Sequence, residues 1–189
     1  MNVAIQDPSS RGPRGRRWLL KKGLLGGALL FVAGAIPVAL RSTLRRHRPK
    51  QPLRLFNEDE HAIVAAVAAR IVPGDGAGAA WPSAEAVDCA GKIDDLMSRV
   101  HPAMGAELRR LLVLFENGLT GLVAIRRPRP FTRCSPEEQD RRLESWRRSR
   151  VALFRTGHQA LVRLVHATYF SSPEVFPLVG YPGPPVVPA

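Results

Sequence analysis

The chain has 189 residues, a net charge of +12 and two cysteines. Two cysteines are too few for a disulfide scaffold, and the length suits one domain with a single core and a segment outside it. The charge invites a nucleic-acid partner, but its distribution argues against one. Residues 1–54 hold twelve Lys/Arg against Asp7 alone, whereas residues 55–189 hold sixteen against fifteen acids; a DNA-binding domain carries its cations on the folded body.

Arg16-Arg17-Trp18-Leu19-Leu20-Lys21 stands directly before an uncharged run, residues 23–40. Two arginines, a spacer, two large apolar residues and a lysine ahead of an apolar segment form the layout of a twin-arginine export signal. Such a signal is an address read by a receptor. Other Arg-Arg pairs occur, at Arg45-Arg46 and Arg109-Arg110 among others, but only the first leads into a long apolar run. That run of eighteen residues lies at the lower edge of a membrane span, which needs about 20. Ala33-Gly34-Ala35 offers a small-x-small cleavage site. Residues 1–40 are therefore expected to be a cleaved signal, or a retained N-terminal anchor. Either places the protein in the periplasm or on the outer face of the cytoplasmic membrane, by a route that carries folded proteins.

Residues 41–55 read as a basic linker, in which Pro49 and Pro52 forbid regular helix. A helical domain is expected over 56–170. Asn57 and Glu60 form a capping-box pattern, and Ile63, Val64, Val67, Ala68 and Ile71 recur at helical spacing. Pro73-Gly74-Asp75 ends this helix. The loop behind it carries Trp81, which must pack on this domain or on a partner. A second helix is expected after Ser83, with Val87, Ile93, Leu96, Met97 and Val100 on its apolar side. Pro102 opens a third, striped by Met104, Leu108, Leu111, Leu112 and Phe115. Residues 119–134 form a basic, kinked connection. Ser135-Pro136-Glu137-Glu138 is a strong helix start, with Leu143 and Trp146 behind it. A long pattern from Val151 to Tyr169 follows, with Gly157 as a possible bend. Residues 171–189 hold six prolines and read as an extended tail. The fold class is all-α, about five helices in one domain.

Chemistry-bearing motifs are sparse. There is no glycine-rich phosphate loop, no haem-attachment motif and no paired-cysteine zinc half-site. No two histidines stand four apart; His158 and His166 share a face but lie ~12 Å apart along a helix axis. Asp94-Asp95 reads as a helix's polar face, and Glu137-Glu138 as a match to a helix N-terminus. Nothing brings Cys134 to a histidine as a nucleophile with its base. Cys89 and Cys134 are open to two readings: a bridge in an oxidising compartment, or two small buried apolar residues. No catalytic, cofactor-binding or metal residue is assigned. The tail needs a surface to lie on, so Phe176, Tyr181, Pro182, Gly183 and Pro184, with Trp81, are the candidate partner-binding residues. The alternative is that the tail folds back over its own helices.

Four stretches in this order carry a resemblance: Ile71-Val72-Pro73-Gly74-Asp75; Phe131 followed by Cys134-Ser135-Pro136-Glu137-Glu138-Gln139; Tyr169-Phe170-Ser171-Ser172-Pro173-Glu174; and Gly180-Tyr181-Pro182-Gly183-Pro184. Together with the signal they resemble the gluconate 2-dehydrogenase subunit 3 family, over about residues 55–185. The resemblance implies a small subunit without a cofactor of its own. Its partner would be a large FAD-containing subunit that oxidises sugars, sugar acids or polyols, often passing electrons to a multi-haem cytochrome c. The small subunit would bring the export signal for the pair. Cys134 departs from the aliphatic residue expected at that helix entry. The competing expectation is a stand-alone exported or membrane-tethered helical domain that binds some other protein.

Overall fold

In a computed structural model of the protein, the described residues are 43–44, 48–72, 74, 81–118, 120 and 128–184. They belong to one compact unit. The export signal and the apolar run lie outside them. Among the described residues there are five α-helices and no strand: α1 (Glu58–Ile71), α2 (Cys89–Ser98), α3 (Pro102–Glu116), α4 (Pro136–Arg147) and α5 (Ala152–Phe170). None of these is long and apolar enough to cross a membrane.

Helix α1 is the hub and packs on all four other helices. It starts where the sequence places it, because Asn57 Oδ1 accepts from Glu60 N at 2.8 Å and Glu60 Oε2 accepts from Asn57 N at 2.9 Å. Those two bonds satisfy donors that a helix start otherwise leaves bare. Ala62, Ile63, Val64, Val67 and Ala68 are all buried. Two of these five are alanines, so α1 presents a thin surface that neighbours can approach from several sides.

Helix α2 begins later than expected. Residues 84–88 form a turn, and α2 starts only at Cys89. Ser83 Oγ accepts from Ala86 N at 3.1 Å, so it caps the turn rather than the helix. Asp88 then takes a left-handed conformation, φ 53°, which interrupts the helical run; aspartate is among the few residues that tolerate it. Helix α3 opens on Pro102, and Leu108, Leu112 and Phe115 face inward. Met104, expected in that stripe, is 59% exposed. Helix α4 opens on a second capping box, between Ser135 and Glu138.

Gly157 does not bend α5, which is continuous over nineteen residues. It marks a close approach instead. A Cβ there would stand 2.6 Å from Leu111 Cδ1 of α3 and 3.1 Å from Trp146 Cζ3 of α4. The aromatic rings of the core meet nearby. Phe115 lies 4.6 Å from both Phe131 and Trp146, and Trp146 stacks on Phe154 at 4.8 Å.

The expected linker is attached to the body. Leu44 N donates to Thr132 Oγ1 at 2.9 Å. Lys50 Nζ reaches the carbonyl of Glu85 at 2.7 Å. The backbone N–H groups of Arg54, Leu55 and Phe56 all donate to the carboxylate of Asp94, at 2.7, 3.0 and 2.7 Å. Phe56 enters the core. Residues 48–55 stay out of helix, and with 43–44 they lie on the body as a strap.

Candidate partner-binding surface

The C-terminal end of α5 gathers the residues assigned to partner binding. Tyr169 points inward and is fully buried, and its hydroxyl donates to Pro82 O at 2.7 Å. This bond pins the residue beside Trp81 to the place where the tail begins. Trp81 itself is half-buried and packs against the domain's own core, so one of its two expected locations is occupied here. Phe170, the next residue on α5, points out and stays 40% exposed. It sits edge-on to Tyr169 at 5.3 Å and to His166 at 5.6 Å.

The start of the tail departs from the extended reading. Ser172 is buried; its hydroxyl donates to Thr168 O at 2.8 Å and accepts from Lys92 Nζ at 2.7 Å. The chain then turns, and Val175 enters the core with no exposed surface. Residues Phe176–Val179 form one 3-10 turn. Gly180 closes it at φ 68°, a conformation that favours glycine. Tyr181 N donates to Phe176 O at 2.9 Å, and the two rings meet edge to face at 5.0 Å. Up to Val175, then, the tail folds back on its own helices. Beyond it, Val179 and Tyr181 are more than two-fifths exposed, Phe176 and Gly183 are half-buried, and Pro182 and Pro184 are exposed. The turn holds Tyr181 in place and leaves it partly exposed. Residues 185–189 lie outside the described residues.

Cys89 and Cys134 are not bridged; both are free, buried thiols. They occupy separate environments. Cys89, at the start of α2, lies against Thr168 of α5, and burial pushes its thiol up to about 11. The Cys134 Sγ–H donates to Pro130 O at 3.3 Å beside Arg142, and burial raises its pKa as well. Two protonated, enclosed thiols behave as small core residues rather than nucleophiles. His158 is half-buried and held below the usual imidazole range, first by burial and then by Arg147; His166 is exposed.

Three buried charged residues escaped the sequence reading. Asp94, expected on a polar face, is the clamp on the strap, while its neighbour Asp95 pairs with Arg54 and Arg99 at the surface. Arg142 is fully buried in α4. Its guanidinium donates to the carbonyls of Phe115 and Asn117 at the end of α3, and to Arg129 O at 3.0 Å. It lies over the Phe115 and Phe131 rings, and burial lowers its pKa to about 10. A cation at a helix C-terminus is favourable because the unpaired carbonyls there carry partial negative charge. Glu116 accepts from Thr132 N at 3.1 Å and from Thr132 Oγ1 at 2.5 Å, and burial pushes its carboxyl up.

The shared-motif residues can now be placed. Phe131 is buried and its carbonyl accepts from Gln139 Nε2 at 3.1 Å; Ser135 caps α4; Tyr169 and Ser172 fix the last turn. They are joints where the chain changes direction. Among the described residues, no group of three or more His, Cys, Asp or Glu is arranged to hold a metal. A cleft of about 220 Å³ lies between α1 and the 84–88 turn, and a wider, open depression of about 960 Å³ runs along residues 48–58.

The fold and this surface thus define a single all-α domain that offers a held aromatic corner. The chain belongs to the gluconate 2-dehydrogenase subunit 3 family, whose model matches residues 58–183 and so takes in all five helices and the aromatic turn. No curated protein and no solved structure matches the chain.

Proposed function

We propose that this protein is the non-catalytic small subunit of a periplasmic flavin dehydrogenase complex. It binds the FAD-containing catalytic subunit and escorts it through twin-arginine export. The observation that carries this reading is membership of the subunit 3 family across the whole helical domain. The exposed Tyr181 and Val179, held on an ordered turn, support a docking role: a fixed aromatic loses little freedom on binding, and its hydroxyl can meet a polar group at the rim. The oxidation of a sugar, sugar acid or polyol then belongs to the partner, and a multi-haem cytochrome c would take the electrons.

Co-expression with a flavin-containing dehydrogenase subunit from the same source tests the proposal. The purified pair should be yellow and the lone chain colourless. Replacing Arg16 and Arg17 with Lys should hold both subunits in the cytoplasm. Export of the Lys-Lys variant at the normal level would sink the escort role, and failure of the two chains to co-purify would sink the subunit role.

A further inference from the structure

The charge of the folded body nearly cancels, but it is not evenly spread. Residues 141–170 carry seven arginines against Glu144 alone, and no acid stands in α5. On a helix, positions three and four apart share a face. Arg155, Gln159, Arg163, His166 and Phe170 follow that spacing, and all five are exposed. They form one ridge, about 22 Å long, from the first turn of α5 to the end that carries the tail turn. Other helices pair their exposed arginines. Arg99 meets Asp95 at 2.7 Å, Arg109 meets Glu60 at 2.8 Å, and Arg147 and Arg148 share Glu144. Among the described residues no carboxylate pairs with Arg155 or Arg163; Arg155 donates to the Ser149 carbonyl at 2.6 Å. The ridge therefore presents cations that its own domain does not neutralise, and it ends in an outward-pointing aromatic ring.

We propose that the exposed ridge of α5 is a face on which the catalytic partner lies, and that the partner meets it with an acidic surface. That surface would offer carboxylates about 12 Å apart, opposite Arg155 and Arg163, and an apolar recess for Phe170. This rests on the flavin subunit proposed above and adds the chemistry of the surface which that subunit must present. Arginine suits the role, because its planar fork pairs a carboxylate through two hydrogen bonds and its charge persists at any physiological pH. Protein interfaces gather arginine and aromatic side chains, while lysine is depleted there. Arg155 and Arg163 are too sparse for a nucleic-acid duplex, which presents a charge every ~1.7 Å along its axis. A single aromatic at one end gives the ridge no apolar face to sink into lipid.

Hydrogen exchange of the co-purified pair, made with the full-length chain, tests this. Peptides covering 155–166 should exchange several-fold more slowly in the pair than in the lone chain, as should those covering 176–183. Arg155→Glu with Arg163→Glu should weaken association by about tenfold or more, and Arg155→Lys with Arg163→Lys by less. Added salt should weaken association of the parent and not of the Glu variant. Both side chains are exposed, so thermal melts of the lone variants should match the parent. A pair that forms with protection at 176–183 alone, or that tolerates the double Glu variant, would overturn the ridge and leave the subunit reading intact. Chains that never pair would overturn both. Protection of 155–166 by duplex DNA or by phosphatidylglycerol vesicles, and not in the pair, would give the ridge to phosphate and overturn the acidic protein face as well.

Discussion

At the scale of single residues, the structure separates two neighbouring aspartates that look alike in the sequence. Asp94 is buried and satisfies three backbone donors of the strap; Asp95 makes exposed ion pairs. Asp94→Ala should strip partners from donors that water reaches poorly and reduce unfolding free energy by about 2–4 kcal/mol, whereas Asp95→Ala should change it by less than about 1 kcal/mol. Denaturant melts of both variants check this, and equal effects would contradict the clamp. Glu116 gives a prediction in pH. Burial raises its folded pKa above the unfolded value, so between those two values the native state holds more proton than the unfolded one. This group's contribution is therefore fullest below the unfolded value and declines as pH rises through the folded value. Glu116→Gln should remove that decline. Urea midpoints from pH 4 to pH 7 should fall less in the variant than in the parent, and identical slopes would assign the pH dependence elsewhere.

At the scale of elements, the boundaries that could be read from the sequence are those set by neighbours three or four residues away. Asn57 with Glu60, Pro102, and Ser135 with Pro136 and Glu138 each start a helix where expected, because the cap bonds are local. The start of α2 was not legible, since it depends on one left-handed residue at Asp88. Arg142, Glu116 and Asp94 were hidden for a related reason. Their main partners are backbone groups or threonines 13 to 73 residues distant, and nothing in local spacing shows that a charge will be buried. The candidate surface was legible in composition but not in shape: a proline-rich tail was evident, the burial of Val175 was not. That burial changes what truncation does. Removing everything after Ser172 takes Val175 from the core and should lower unfolding free energy by about 1.5–3 kcal/mol, several degrees in Tm. Removing everything after Gly180 keeps Val175, so Tm should hold while co-purification of the flavin subunit is lost. Should the second truncation still bring down its partner in full yield, Tyr181 is not the anchor. Gly157→Ala is the matching test inside α5. Helix propensity favours alanine by ~1 kcal/mol, but a Cβ 2.6 Å from Leu111 forces repacking that costs about 1–3 kcal/mol. A net loss of stability is expected in thermal melts.

At the scale of the whole molecule, the domain begins at the strap rather than at the first helix. Thr43, Leu44, Lys50 and 54–56 all bond the body, and Phe56 is a core residue. A chain beginning at residue 57 should be markedly less stable than one beginning at residue 43, by several kcal/mol in urea melts, since it loses Phe56 and leaves Asp94 buried without its donors. Equal stability would return 43–56 to the status of a linker. A cut at Ala35 spares every one of these contacts.

The bond from Tyr169 to Pro82, with Lys92 on Ser172 and Val175 in the core, ties the final stretch of the chain to its middle. The residues that close the bundle thus follow the first four helices out of the ribosome. Helices α1 to α3 can form while synthesis continues, but their shared core stays open until residues 169–175 arrive. A transcript cut short anywhere before Val175 yields a protein with its interior unsealed, which quality-control proteases can tell from the finished one.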